Sequence, residues 1–189
     1  METKNVMIVG VGGQGSLLAS KLLGRILLDN GYDVKVSEVH GMSQRGGSVV
    51  TYVRYGDKVY SPIIDKGEAD YIVSFELLEA ARYTEYLKSG GKIITNNQKV
   101  MPMPVITGAM EYPQNLEDDL AQAGISLDAF DALSLALEAG TAKAVNLVLV
   151  GRLSRELPFT DEQWQKAIAA SVPSKLLDVN LKAFELGRK

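Results

Sequence analysis

The chain has 189 residues, 46% of them hydrophobic, with 20 basic and 23 acidic side chains and a net charge of -3. The apolar share excludes disorder, and the near balance of charge excludes a nucleic-acid partner. The chain has no cysteine, which excludes disulfides, thiol nucleophiles and cysteine-ligated iron–sulfur clusters.

The length suits one domain, 1–189, with a helical C-terminal part over about 131–187. Met1 to Asn5 leads straight into an apolar run, with no basic stretch before a long apolar one, so no signal peptide is expected. No apolar run reaches the ~20 residues of a membrane span. The expected location is cytoplasmic, away from membranes.

Val6-Met-Ile-Val9 ends at glycine and reads as a strand buried on both faces. Leu17, Leu18, Leu22, Leu23, Ile26 and Leu27 recur at helical spacing, and Asn30-Gly31 stops that helix. Asp33 to Val39 alternates as a second strand, completing a β-α-β unit. Ser48 to Tyr55 alternates again, and Gly56-Asp57 is read as turning it back into Lys58-Val-Tyr60 as an antiparallel hairpin.

Asp70 to Phe75 reads as a strand, and Glu76 to Lys88 as a helix stopped by Gly90-Gly91. Lys92 to Thr95 and Met103 to Thr107 read as strands, the latter after the breaker Pro102, and Leu116 to Ala123 as a short helix. From Asp131 the reading is helical over 131–139, 142–155, 161–171 and 175–186, with Thr160 and Gln163 as a capping box. The sum is a three-layer α/β/α, Rossmann-like fold, with a mostly parallel sheet, one antiparallel hairpin and a helical C-terminal region.

Gly10-X-Gly12-X-X-Gly15 matches a dinucleotide fingerprint by spacing, and it lies between a strand and a helix. Glycines permit a tight turn and close backbone approach, and the helix N-terminus offers N–H groups to an anion. Glu38, ending the second strand, sits about where a ribose-binding acid belongs. Gly13 beside Gly12, then Gln14, makes the loop looser and more polar than a pyrophosphate site requires. A turn with no ligand, a bound NAD, and another ligand or partner all remain compatible with the loop.

Glu38-Val-His40-Gly-Met-Ser43-Gln44-Arg45-Gly-Gly-Ser48 is more informative. It holds the chain's single histidine and gathers an acid, an imidazole, a hydroxyl, an amide and a guanidinium at the carboxyl end of a strand. Open α/β sheets place their sites at that edge. The bland alternative is a solvated loop whose polar groups satisfy one another.

The run Val9-Gly-Val-Gly-Gly-Gln-Gly15 together with Glu38 to Ser48 resembles the gamma domain of the 2-oxoacid:ferredoxin oxidoreductases. As a free-standing chain it is similar to the beta subunits of the branch that acts on indolepyruvate. The similarity continues through Asp70 to Glu76, Asp131-Ala132, Lys143-Ala-Val-Asn146 and Asn180 to Gly187.

This resemblance implies an enzyme of several subunits. Thiamine diphosphate attacks the 2-oxoacid, CO2 leaves, iron–sulfur clusters pass electrons to ferredoxin, and coenzyme A takes the acyl group. It implies a large alpha subunit as partner, carrying the cofactors that this chain does not hold alone. His40, Gln44 and Arg45 become the expected catalytic residues. Gly10, Gly12, Gly13, Gln14, Gly15, Glu38 and Ser43 become the expected cofactor-facing ones. Arg45 suits a carboxylate or a coenzyme A phosphate because its planar fork is bidentate. The rivals are a stand-alone NAD(P)-dependent oxidoreductase and a non-catalytic assembly module.

Other features read as structural. Met101-Pro-Met-Pro104 reads as the start of a strand, Trp164 as packing, and Tyr83 and Tyr86 as helix-surface contacts. Glu117-Asp118-Asp119 reads as a solvated helix face, and no metal site is expected. Asn146 and Asn180 read as polar residues that bond neighbouring loops or face a partner.

Overall fold

The apolar run Val6 to Val9 sits within a longer strand, β1 (Lys4–Val11), in a computed structural model that describes residues 2–40 and 47–189, with the backbone alone for His40. Then follow α1 (Ser16–Asp29), β2 (Asp33–His40), β3 (Ser48–Gly56), β4 (Ala69–Ser74) and α2 (Leu77–Arg82). Beyond them lie β5 (Leu87–Asn96), α3 (Met103–Ile106), α4 (Leu116–Gln122) and β6 (Ser126–Phe130). The chain ends in α5 (Ala132–Ala139), α6 (Val145–Leu153), α7 (Asp161–Ser171) and α8 (Leu177–Arg188).

The strands form one sheet in the order β2-β3-β1-β4-β5-β6. β1, β4, β5 and β6 are parallel, and β3 runs against both β1 and β2. Alternation along each strand divides the core. Val6, Ile8, Val53, Val73 and Ile94 face α1 and the C-terminal helices. Met7, Val9, Val50, Ile72 and Ile93 face the other side, where α2 contributes Ala80.

The thicker layer is held by full burial. Leu22, Leu23, Ile26 and Leu27 of α1 are 0% exposed, each contributing about 1.5–3 kcal/mol relative to exposure. Trp164 of α7 is equally buried and packs on Phe184 of α8 at 5.2 Å between ring centres. It is packing, as expected of its place on the third C-terminal helix. α6 lies between the sheet and α8, and its backbone touches that of α8. A methyl added at Gly151 would meet the Phe184 carbonyl at 2.1 Å, and one at Gly187 the Val148 carbonyl at 2.0 Å.

Four sequence readings need correction. The hairpin expected over 48–60 does not form, because both edges of β3 are already paired, with β1 and with β2. The antiparallel hairpin is instead β2–β3, and Val59 docks by donating its N–H to Asp33 Oδ2 at 2.9 Å. The helix expected over 76–88 ends at Arg82, and Lys88 to Gly91 belong to β5. Gly91 is required there by close approach, since a Cβ would lie 2.9 Å from the Ala69 carbonyl where β4 and β5 shift register.

Met103 to Ile106 is a short helix rather than a strand. Pro104 stands in its first turn, where a missing N–H costs nothing. The fourth correction is β6, an edge strand that the sequence reading passed over. The Thr160–Gln163 capping box, by contrast, is present in both directions. Glu117, Asp118 and Asp119 lie exposed in the first turn of α4.

Among the described residues no helix is long and apolar enough to cross a membrane.

Candidate functional site

At the carboxyl edge of the sheet, β1 turns through Gly12 to Gly15 into α1. Gly13 (φ 100°) and Gly15 (φ 93°) occupy the left-handed region that favours glycine. Gln14 folds under the turn, where its Oε1 accepts the Val11 N–H at 2.7 Å and its Nε2 donates to the Phe75 carbonyl at 3.5 Å. Gly10 makes room for it, since a Cβ there would lie 2.8 Å from Gln14 Oε1 and 2.9 Å from Phe75 Cβ. Glycine at 10 and glutamine at 14 thus build the loop together.

Asn146 of α6 reaches the same turn and donates to the Gly15 carbonyl at 3.4 Å. The expectation that it bonds a neighbouring loop holds. Asn180 bonds within its own helix region, to the Leu176 carbonyl at 2.7 Å.

The loop separates two clefts. One, of about 660 Å³, lies between Gly12, Gly13 and Gln14 on one side and Gln98, Val100 and Lys143 on the other. The second, of about 410 Å³, lies between Gly12, Gly15, Ser16 and Glu38. Glu38 therefore does border the glycine loop. It does so from across β3, however, two strand spacings from β1, or about 9–10 Å. A dinucleotide fold sets its second strand directly beside the first. The inserted strand removes that geometry, and with it the second support for bound NAD.

The two sequence motifs meet at their bases. The Gly12 N–H donates to the Gly47 carbonyl at 2.9 Å, joining the glycine loop to the return limb of the second segment. On the outgoing limb, His40 closes β2 opposite Val49. Ser43, Gln44 and Arg45 lie outside the described residues, as does the His40 side chain. Ser48 then starts β3, and its hydroxyl donates to Glu79 Oε2 at 2.5 Å, with the Tyr83 hydroxyl 3.1 Å away. Tyr83, read as a helix-surface contact, in fact caps α2 and reaches β3.

Beside this junction is a hollow of about 230 Å³ lined by Val11, Ser48, Glu76, Glu79, Arg82 and Pro102. Glu76 is 1% exposed and caps α2. It accepts the N–H groups of Leu78 (3.0 Å), Glu79 and Val100 (3.5 Å). Burial pushes its carboxyl above the usual range, although those three N–H groups pull the other way. Behind it, buried Asn96 accepts the Ala132 N–H at 3.1 Å and donates to the Phe75 carbonyl at 3.3 Å, tying β4, β5 and α5 together. The sequence reading did not single out Glu79, Asn96, Gln98 or Lys143 as site residues. For Glu79, Asn96 and Gln98 the available signal was position, since each lies within a few residues of the end of an apolar run, and for Lys143 it was the Lys143 to Asn146 stretch of the resemblance.

The sequence profile described as Pyruvate ferredoxin/flavodoxin oxidoreductase matches residues 5–189. The chain is 48% identical to the indolepyruvate oxidoreductase subunit IorB of Thermococcus kodakarensis, covering 100% of this chain and 96% of that protein. It is 47% identical to the subunit of the same name from Pyrococcus horikoshii, with the same coverage. Among solved structures, the pyruvate oxidoreductase subunit PORC of Thermotoga maritima superposes with a TM-score of 0.75 at 20% identity, over 100% of this chain and 96% of that one. That likeness shows the fold.

Proposed function

Because the chain belongs to the pyruvate ferredoxin/flavodoxin oxidoreductase family, we propose that it is one subunit of a 2-oxoacid:ferredoxin oxidoreductase of the indolepyruvate type. The complex would take an aryl 2-oxoacid, coenzyme A and two oxidised ferredoxins. It would return the aryl-acetyl thioester, CO2, two reduced ferredoxins and the proton of the coenzyme A thiol. The observation that carries this reading is near-half identity over the full chain to subunits named for that activity. The joining of the two motifs through Gly12 and Gly47 supports a single composite surface.

The chain has no cysteine, so its donor set does not fit an iron–sulfur cluster. The clusters and thiamine diphosphate belong to the large alpha subunit in this reading. This subunit completes the site at the interface. Arg45 pairs with a substrate carboxylate or a coenzyme A phosphate, His40 and Gln44 supply hydrogen bonds, and Ser43 is a hydrogen-bonding neighbour. Gly12, Gly13, Gly15 and Glu38 form the adjoining wall. The chain alone is inactive, because the groups that break and make bonds sit on the partner.

The test is co-expression with the large subunit and assay of low-potential dye reduction with a panel of 2-oxoacids and coenzyme A. Arg45→Ala should lower turnover about 10–100-fold, the scale of a lost charge-assisted pair. Full activity with unchanged coenzyme A affinity would overturn Arg45's role. Turnover by the isolated chain would overturn the division of labour. Calorimetric binding of NAD(H) would favour the stand-alone oxidoreductase.

A further inference from the structure

Glu79 is a carboxylate 5% exposed on α2, a helix already capped by Glu76. A buried charge is costly unless it is paired and hydrogen-bonded. Its Oε1 lies 3.1 Å from Nε of Arg82, one turn along the helix. Its Oε2 accepts the Ser48 hydroxyl at 2.5 Å, a bond that spans 31 positions of sequence. Ser48 follows Gly47, whose carbonyl is held by the Gly12 N–H. Residues 47 and 48 are thus gripped from two sides, by the glycine loop and by α2. Within α2 the carboxylate suits the first turn and pairs with Arg82. Beyond α2, what it adds is the hold on Ser48.

We propose that Glu79 is a positioning residue, which acts through Ser48 to fix the base of the 41–46 segment against the glycine loop. This rests on the reading that Arg45 and its neighbours complete the partner's site. Glu79 touches no reacting group and is not itself catalytic.

The test uses the reconstituted complex with Ser48→Ala, Glu79→Ala, Glu79→Gln and the Ser48→Ala/Glu79→Ala double variant, beside Arg45→Ala. Glu79→Ala and Ser48→Ala should each lower kcat/KM about tenfold. Both should divide the loss between kcat and KM as Arg45→Ala does. The double variant should be no worse than either single one, since both remove the same bond. Glu79→Gln keeps an acceptor for Ser48 and should recover most of the loss.

If Arg45→Ala impairs turnover while Ser48→Ala and Glu79→Ala do not, or if their losses add, the positioning role is overturned and the functional reading stands. If Arg45→Ala has no effect, the functional reading fails. The anchor is then judged by amide exchange at residues 47–50 of the free chain, which Glu79→Ala must accelerate and Glu79→Gln must not. Should Glu79→Ala not fold, Ser48→Ala, at an exposed residue, carries the test alone.

Discussion

Replacing Gly151 or Gly187 with alanine sets two physical effects against each other. Alanine is favoured over glycine in a helix interior by about 0.8–1 kcal/mol, so propensity alone predicts a more stable protein. The α6–α8 contact predicts the reverse. Real Cβ atoms essentially never come within 3.0 Å of such neighbours, yet the added methyls would sit 2.1 Å and 2.0 Å from opposing carbonyls. One helix must therefore retreat by about 1 Å. α6 has no slack to give, because Leu147, Val148 and Leu149, which point in different directions, are all 0% exposed. Overpacking of this kind costs about 1–3 kcal/mol.

Less the propensity gain, the net cost reaches about 2 kcal/mol, and for a chain of this size each kcal/mol moves Tm by about 2–4 °C, so a fall of a few degrees is expected from either variant. Gly24→Ala is the control. It lies in α1, where an added methyl meets only Val36 at an ordinary 3.7 Å, and it should be neutral or slightly stabilising. Thermal melts of the three variants decide the matter. A Tm raised by Gly151→Ala would refute the packing argument outright.

Other predictions follow from single sites. Burial alone would raise the Asp70 carboxyl, but Lys88, the Asn5 N–H (2.8 Å) and Lys4 (3.0 Å) outweigh it and hold it below its usual 3.8. Its stabilisation is therefore full above pH 3.8 and drains as pH falls through the lower folded-state value. Asp70→Asn should cost about 1–3 kcal/mol in urea melts near pH 7, and an undiminished gap near pH 3 would contradict this. Gly15→Ala should cost about 1–2 kcal/mol for its backbone angle alone, plus a clash with Asn146 Nδ2 at 3.0 Å. In an Asn146→Ala background the clash disappears, so the cost should shrink; equal costs in both backgrounds count against that contact. Thr160→Ala removes a capping box and should cost about 1 kcal/mol, with faster amide exchange at Gln163 as its local signature.

The first strand, the glycine loop and the C-terminal helices were legible because their signals are local. Val6 to Val9 must be buried on both faces, and Thr160 and Gln163 announce a helix start within four residues. The misread elements are those decided at a distance. Nothing near Gly56 reveals that β3 is already paired on both sides, and Gly91 serves β4 rather than the helix before it. β6 is five residues long and only partly covered, so its alternation is shallow. At the site, both motifs could be read from spacing. Their junction could not, because it depends on one carbonyl, Gly47, and on one carboxylate, 31 positions from its partner.

The reversal of β3 also bears on the order in which the protein folds. A parallel neighbour would have returned to this edge by a crossover of a dozen residues or more. An antiparallel one returns directly, so β2, which ends at His40, pairs with the next strand in the chain, β3. Hairpins of this kind close in about 1–10 μs, whereas pairing β1 with β4 joins residues more than sixty positions apart. β2 with β3 is thus the pairing most local in sequence within the sheet, and the Gly12–Gly47 junction closes a longer loop.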